Sequence, residues 1–134
     1  YSNDLGRWLE FVPEDPLDRI AASFHNYEGP KLGACHVECW EERIAPIAER
    51  YPVVTAEMGD VSLSGKSCNH DYIGQYMPWA DDHGISYLAW SWSATRFGTW
   101  SCGAGPALIY DFDGRPTPYG RGLRTHLRTL AGLG

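Results

Sequence analysis

A chain of 134 residues is large enough for one domain with its own core, and residues 1–134 read as a single domain without internal repeats or low-complexity tracts. A net charge of −6 argues against a nucleic-acid partner, whose phosphates demand a basic surface. No apolar run approaches the ~20 residues of a membrane span, and none reads as a signal peptide.

Taken in order, residues 1–16 read as loop and proline-rich connection, with Trp8 available to a core or to a site. Residues 22–27 form the first predicted strand, in which His25 and Tyr27 stand two apart and therefore on one face. Residues 28–38, with Gly29, Pro30 and Gly33, are loop. From Trp40 onward, Ile44, Ile47, Ala48 and Tyr51 draw a helical stripe, with Pro46 in a first turn or at a kink. The run Val53-Val54-Thr55-Ala56-Glu57 is β-branched and apolar, opens after Pro52 and ends on a carboxylate, which marks a buried strand.

Small polar residues over 62–69 give a loop. Residues 71–83 give a second helix interrupted by Pro78, with Gly84 as its left-handed stop. A third strand over 85–92 places Trp90 and Trp92 on one face, and residues 95–106, with Trp100, form a long loop. Residues 107–110 are a short apolar run closed by an Asp113-Gly114 turn, and 118–133 are a terminal helix. Strands separated by helix-length segments predict an α/β fold with a parallel sheet.

In such folds side chains at the carboxyl ends of the strands share one site. Here those ends carry His25 and Tyr27, then Glu57, then Trp90 and Trp92. A carboxylate, groups that hydrogen-bond to it and an indole floor for a pyranose ring are the parts of a sugar-cleaving site. The plainer reading is that Glu57 caps a loop and that the eight Tyr and six Trp serve the core.

The order His25-x-Tyr27, Glu57-x-Gly59 and Trp90 resembles the second half of glycoside hydrolase family 5, the cellulase family of retaining (β/α)8 barrels. The flanking phrases fit: Tyr1-Ser2-Asn3-Asp4-Leu5, Cys39-Trp40, Ile44-Ala45-Pro46-Ile47-Ala48, Trp79-Ala80-Asp81 and Gly114-Arg115-Pro116-Thr117-Pro118-Tyr119-Gly120. The resemblance covers nearly the whole chain but only strands six to eight of the barrel, whose typical length is ~250 residues. A chain that opens on Tyr1 without methionine fits a segment of a longer protein.

The resemblance implies three consecutive βα units of a partial barrel. It implies Glu57 as nucleophile, Tyr27 as its hydrogen-bond donor, His25 beside the substrate or the acid/base, and Trp90 under the reacting sugar. Trp92 and Trp100 are further candidates for binding sugar. The implied activity is that of an endo-β-1,4-glucanase acting on cellulose or another β-glucan, without metal or cofactor. The alternative is a non-catalytic half-barrel that binds β-glucan through its aromatic residues.

The family's acid/base follows an asparagine, and this chain has no Asn-Glu pair. Glu28 is the nearest substitute, although strand alternation turns it away from Tyr27, and Asp60 is expected to cap a loop. An uncovered sheet edge is expected to meet the first 20 residues, the terminal helix, the missing barrel half or a second copy.

Four cysteines suit two disulfides in a secreted protein. Cys68 and Cys102 follow adjacent strands on one face, which leaves Cys35 with Cys39. The rival is zinc held by Cys35, Cys39, Cys68 and His70. Beyond Asp113 there are four arginines and no acid, so the rest of the chain carries −10. The tail therefore reads as a basic helix against an acidic body. His36, His83 and His126 are expected at the surface.

Overall fold

The computed structural model describes residues 4–28, 35–60, 70–94 and 107–134. A short 3-10 turn at Trp8–Glu10 precedes β1 (Ala22–Tyr27), α1 (Val37–Arg43), α2 (Ala45–Ala48), β2 (Val53–Gly59), α3 (Asp71–Asp82), β3 (Ser86–Ala89) and α4 (Pro118–Leu130). The strands form one parallel sheet in the order β1-β2-β3. Each strand is followed by helix, as three consecutive βα units require. Among the described residues, the outer edges of β1 and β3 pair with no further strand.

One face of the sheet is the floor of the core. Ala22 and Phe24 of β1 and Val53 and Met58 of β2 are buried there with Trp40, Ile47, Ile73, Tyr76 and Met77 from the helices. The α3 sequence explains its docking: Tyr72, Ile73, Tyr76, Met77 and Ala80 recur with the period of a helix and make one apolar stripe. Pro78 sits on the exposed side of α3, where the carbonyl it leaves without a donor can reach water. Gly84 adopts φ +64° and stops the helix as its sequence predicts.

Helix boundaries shift modestly from expectation. The first helical region starts at Val37, before Trp40, and is broken at Ile44 into α1 and α2, with Pro46 in the first turn of α2. A first-turn proline is tolerated because its missing N–H would have no partner there anyway. The third strand ends at Ala89, not Ser91 or Trp92, so the two tryptophans lie beyond the ladder.

The terminal helix was expected as a basic helix against an acidic body, and among its described contacts a histidine reaches an acid of α3. His126 Nε2 lies 2.7 Å from Asp81 Oδ2, and Tyr87 donates to the other oxygen of Asp81 at 3.0 Å. Arg115 pairs locally with Asp111, while Arg121 and Arg128 reach the carbonyls of Pro116 and Leu133. His126 and His83 are half-buried, and His83 stacks on Trp79 at 4.2 Å. Of the three histidines expected at the surface, only His36 is exposed.

The start of α4 packs tightly. Thr117 caps it by accepting from Gly120 N at 3.0 Å, and a Cβ on Gly120 would overlap the backbone carbonyl of Leu108. Gly120→Ala is therefore expected to destabilise the protein by about 3 kcal/mol, since backbone cannot swing aside as a side chain does. Urea unfolding of both proteins checks this, and a midpoint shift of less than a few tenths molar would count against the contact.

Candidate active site

Strand alternation places residues 22, 24 and 26 of β1 on the core side and 23, 25 and 27 on the opposite, open side. By the same count Val53, Thr55 and Glu57 of β2 would share a face, and Thr55 is fully buried against the Tyr76 hydroxyl. Simple alternation would thus drive Glu57 into the core. The register shows why it does not go there. Phe24 is opposite Thr55, but His25 is opposite Glu57, so β2 carries one extra residue at Ala56. The same surplus shows against β3, where Tyr87 to Ala89 spans Thr55 to Met58. This β-bulge reverses the alternation, sending Met58 into the core and Glu57 to the open face beside His25 and Tyr27.

The three side chains meet. The Tyr27 hydroxyl donates to Glu57 Oε2 at 2.9 Å, and His25 Nδ1 lies 3.4 Å from the same oxygen. Both contacts fall on Oε2. Glu57 and His25 side chains are about a quarter to a third exposed, so the carboxylate is held yet reachable. Tyr27 lies opposite Gly59 in the register, which offers no side chain to obstruct its ring. Burial, then the hydrogen bond to Glu57 and its negative charge, push the Tyr27 hydroxyl well above its ordinary range, which keeps it a proton donor.

The tryptophans are placed differently. Trp90 backbone N–H donates to Met58 O at 2.8 Å, just past the end of β3, and its side chain is exposed. Trp92 is 75% exposed and lines a groove with Leu108, Gly120, Leu123 and Leu127. That groove belongs to α4 and the 108–116 hairpin, and His25, Tyr27 and Glu57 take no part in it. Trp8 goes to the core margin, edge-on to Tyr51 at 5.0 Å. Trp100 lies outside the described residues.

Glu28 lies near enough to Asp60 for its charge to act on it. Asp60 is buried, accepts from Tyr72 N–H at 3.2 Å, and has one carboxyl oxygen without a hydrogen-bond partner. It thus caps the start of α3, where a loop cap was expected. Burial and the charge of Glu28 raise its carboxyl to about 7, against the backbone hydrogen bonds of Tyr72 and Ile73 that lower it.

Cys35 and Cys39 are joined by a disulfide, as expected. That bond removes two of the four thiolate and imidazole ligands of the zinc alternative. The Cys68–Cys102 pairing lies outside the described residues.

A family model described as Cellulase (glycosyl hydrolase family 5) matches residues 1–96. Among solved structures, the native beta-glucanase SdGluc5_26A from Saccharophagus degradans is 24% identical with a TM-score of 0.56, over 83% of this chain and 34% of its own. The same enzyme in complex with cellotetraose gives 23% identity and a TM-score of 0.60, over 95% of this chain and 38% of its own. The chain thus spans little more than a third of that enzyme. At this identity the likeness shows the shared fold. The curated proteins contain no match.

Proposed function

Since the chain belongs to glycoside hydrolase family 5, we propose that it carries the nucleophile half of a retaining endo-β-1,4-glucanase site. The observation that supports this most directly is the convergence of Tyr27 and His25 on one oxygen of Glu57, on the open face of the sheet. With Oε2 so engaged, Oε1 is the atom that attacks the anomeric carbon. The bond from that carbon to the leaving oxygen breaks as a glycosyl ester forms on Glu57. Water then attacks the ester from the opposite face and releases the sugar with its original configuration. Tyr27 holds the carboxylate in its attacking orientation.

A retaining site needs a second carboxyl about 5–5.5 Å from the nucleophile to protonate the leaving group. Asp60 is engaged at the start of α3, and strand alternation turns Glu28 away from Tyr27, so that acid comes from elsewhere. The remainder of a barrel is the natural source, and it would also cover the two unpaired sheet edges. The substrate is a β-glucan, with Trp90 under a sugar ring. The Cys35–Cys39 disulfide supports export to an oxidising, extracellular setting.

Proton NMR during cleavage of an aryl β-cellobioside by the 134-residue chain tests the reading. The β-anomer should appear first and mutarotate later. An α-anomer first would overturn the retaining mechanism. Binding of glucan with no cleavage would favour a half-barrel that binds through its exposed tryptophans.

A further inference from the structure

We propose that Tyr119 is the positioning residue for Glu57, acting through the β-bulge of β2; this deepens the glycosidase reading and rests on it. A bulge leaves one residue unpaired and the ladder locally disrupted, so a contact from outside the pair of strands can decide whether it holds. Here the support falls on one atom, the carbonyl oxygen of Met58, the residue next to Glu57. It accepts from Trp90 N–H at 2.8 Å and from the Tyr119 hydroxyl at 2.7 Å. The first bond fixes β2 to β3. The second ties it to the first turn of α4, 61 residues away in sequence.

Tyr119 is itself hard to displace. It is 2% exposed within the core and stands between the Thr117 cap and Gly120, whose backbone lies against Leu108. The Thr117 hydroxyl donates to Ala107 O at 2.8 Å, which ties the cap and helix start to the 108–116 hairpin. Burial and the nearby Asp60 charge hold the Tyr119 hydroxyl protonated, and it therefore remains a donor. Within the β2–β3 ladder alone, Met58 could relax by giving up the extra residue. That slip would return Glu57 to the core side, where Thr55 points, and part it from Tyr27. The buried hydroxyl holds the reversed alternation in place.

Tyr119→Phe removes the hydroxyl and keeps the ring. On an aryl β-cellobioside the variant should lose roughly 10- to 100-fold in kcat with KM within about two-fold, since a misplaced nucleophile slows the reaction without weakening sugar binding. A purely structural role would lower thermal stability and leave that split unchanged. In parallel, a crystal structure of the variant should show the Tyr27–Glu57 hydrogen bond broken or the bulge displaced. If wild type cleaves the substrate and the variant matches its kcat, the positioning role is wrong while the glycosidase reading stands. If wild type does not cleave it, that reading fails, and the crystal structure alone decides whether Tyr119 holds Glu57. An unmoved bulge with an intact Tyr27 bond overturns the inference.

Discussion

Glu57→Gln should lower the rate of aryl β-cellobioside hydrolysis by roughly 10³-fold or more, since loss of the nucleophile in other hydrolases costs as much as ~10⁶-fold. The substitution nearly preserves shape, and the amide oxygen can still accept the Tyr27 hydrogen bond now made to Oε2 at 2.9 Å. What disappears is the negative charge that attacks carbon. Binding of a soluble glucan, measured by titration calorimetry, should therefore stay within a few-fold of wild type. The aryl leaving group matters, because a phenolate departs with little help from a proton. Polymeric glucan should be cleaved far more slowly by the isolated chain, because general-acid assistance typically supplies about 10²–10⁴-fold. Equal nitrophenol release by wild type and Glu57→Gln would remove Glu57 from the mechanism.

Asp60→Asn is expected to make the protein more stable at pH 8 and to leave it nearly unchanged at pH 4. Burial and Glu28 raise the folded Asp60 carboxyl from 3.8 to about 7, whereas the unfolded chain ionises near the ordinary value. Below pH ~4 both states hold the proton, and the contribution to stability is fully present. Between pH ~4 and 7 the unfolded state has released a proton that the folded state keeps, so stability falls as pH rises. Above pH 7 the loss is complete, at most roughly 4 kcal/mol for a shift of about three units at 1.36 kcal/mol each. Asparagine is neutral throughout and can still accept from Tyr72 N–H. The difference between the two proteins should thus grow through this window. Urea midpoints at pH 4, 6 and 8 measure it, and parallel curves would show that Asp60 is ionised in the fold at neutral pH.

The βα order, the strand centres and the grouping of His25, Tyr27 and Glu57 were legible in the sequence, because period-2 and period-3.6 patterns survive in a single chain. The side of the sheet on which Glu57 lands was not derivable that way. Counting alternately from Val53 assigns Glu57 to the core, and only the extra residue at Ala56 corrects the count. A bulge without a glycine in αL leaves no mark in composition. Tyr119 was equally silent: its partner is 61 residues distant, and nothing local to Pro118-Tyr119-Gly120 points to Met58. The strand β3 is shorter than expected because aromatic residues suit strands by propensity, while its ladder with β2 stops at the Met58–Ala89 pair, one residue before β2 ends.

The tryptophans of the fold divide the protein optically. Trp40 is wholly enclosed among Tyr72, Tyr76 and Trp79, with ring centroids 4.9–5.7 Å away, and Trp79 is 8% exposed. Trp90 and Trp92 are 44% and 75% exposed. The enclosed pair emits at shorter wavelength and is shielded from a dissolved quencher such as acrylamide, whereas the exposed pair emits to the red and is quenched readily. These four therefore contribute a blue and a red component, with the half-buried Trp8 between them. Occupation of the open face by a sugar would alter the red, quenchable component, and loss of the core would alter the blue one, so ligand binding and unfolding can be followed in a single sample without an added dye.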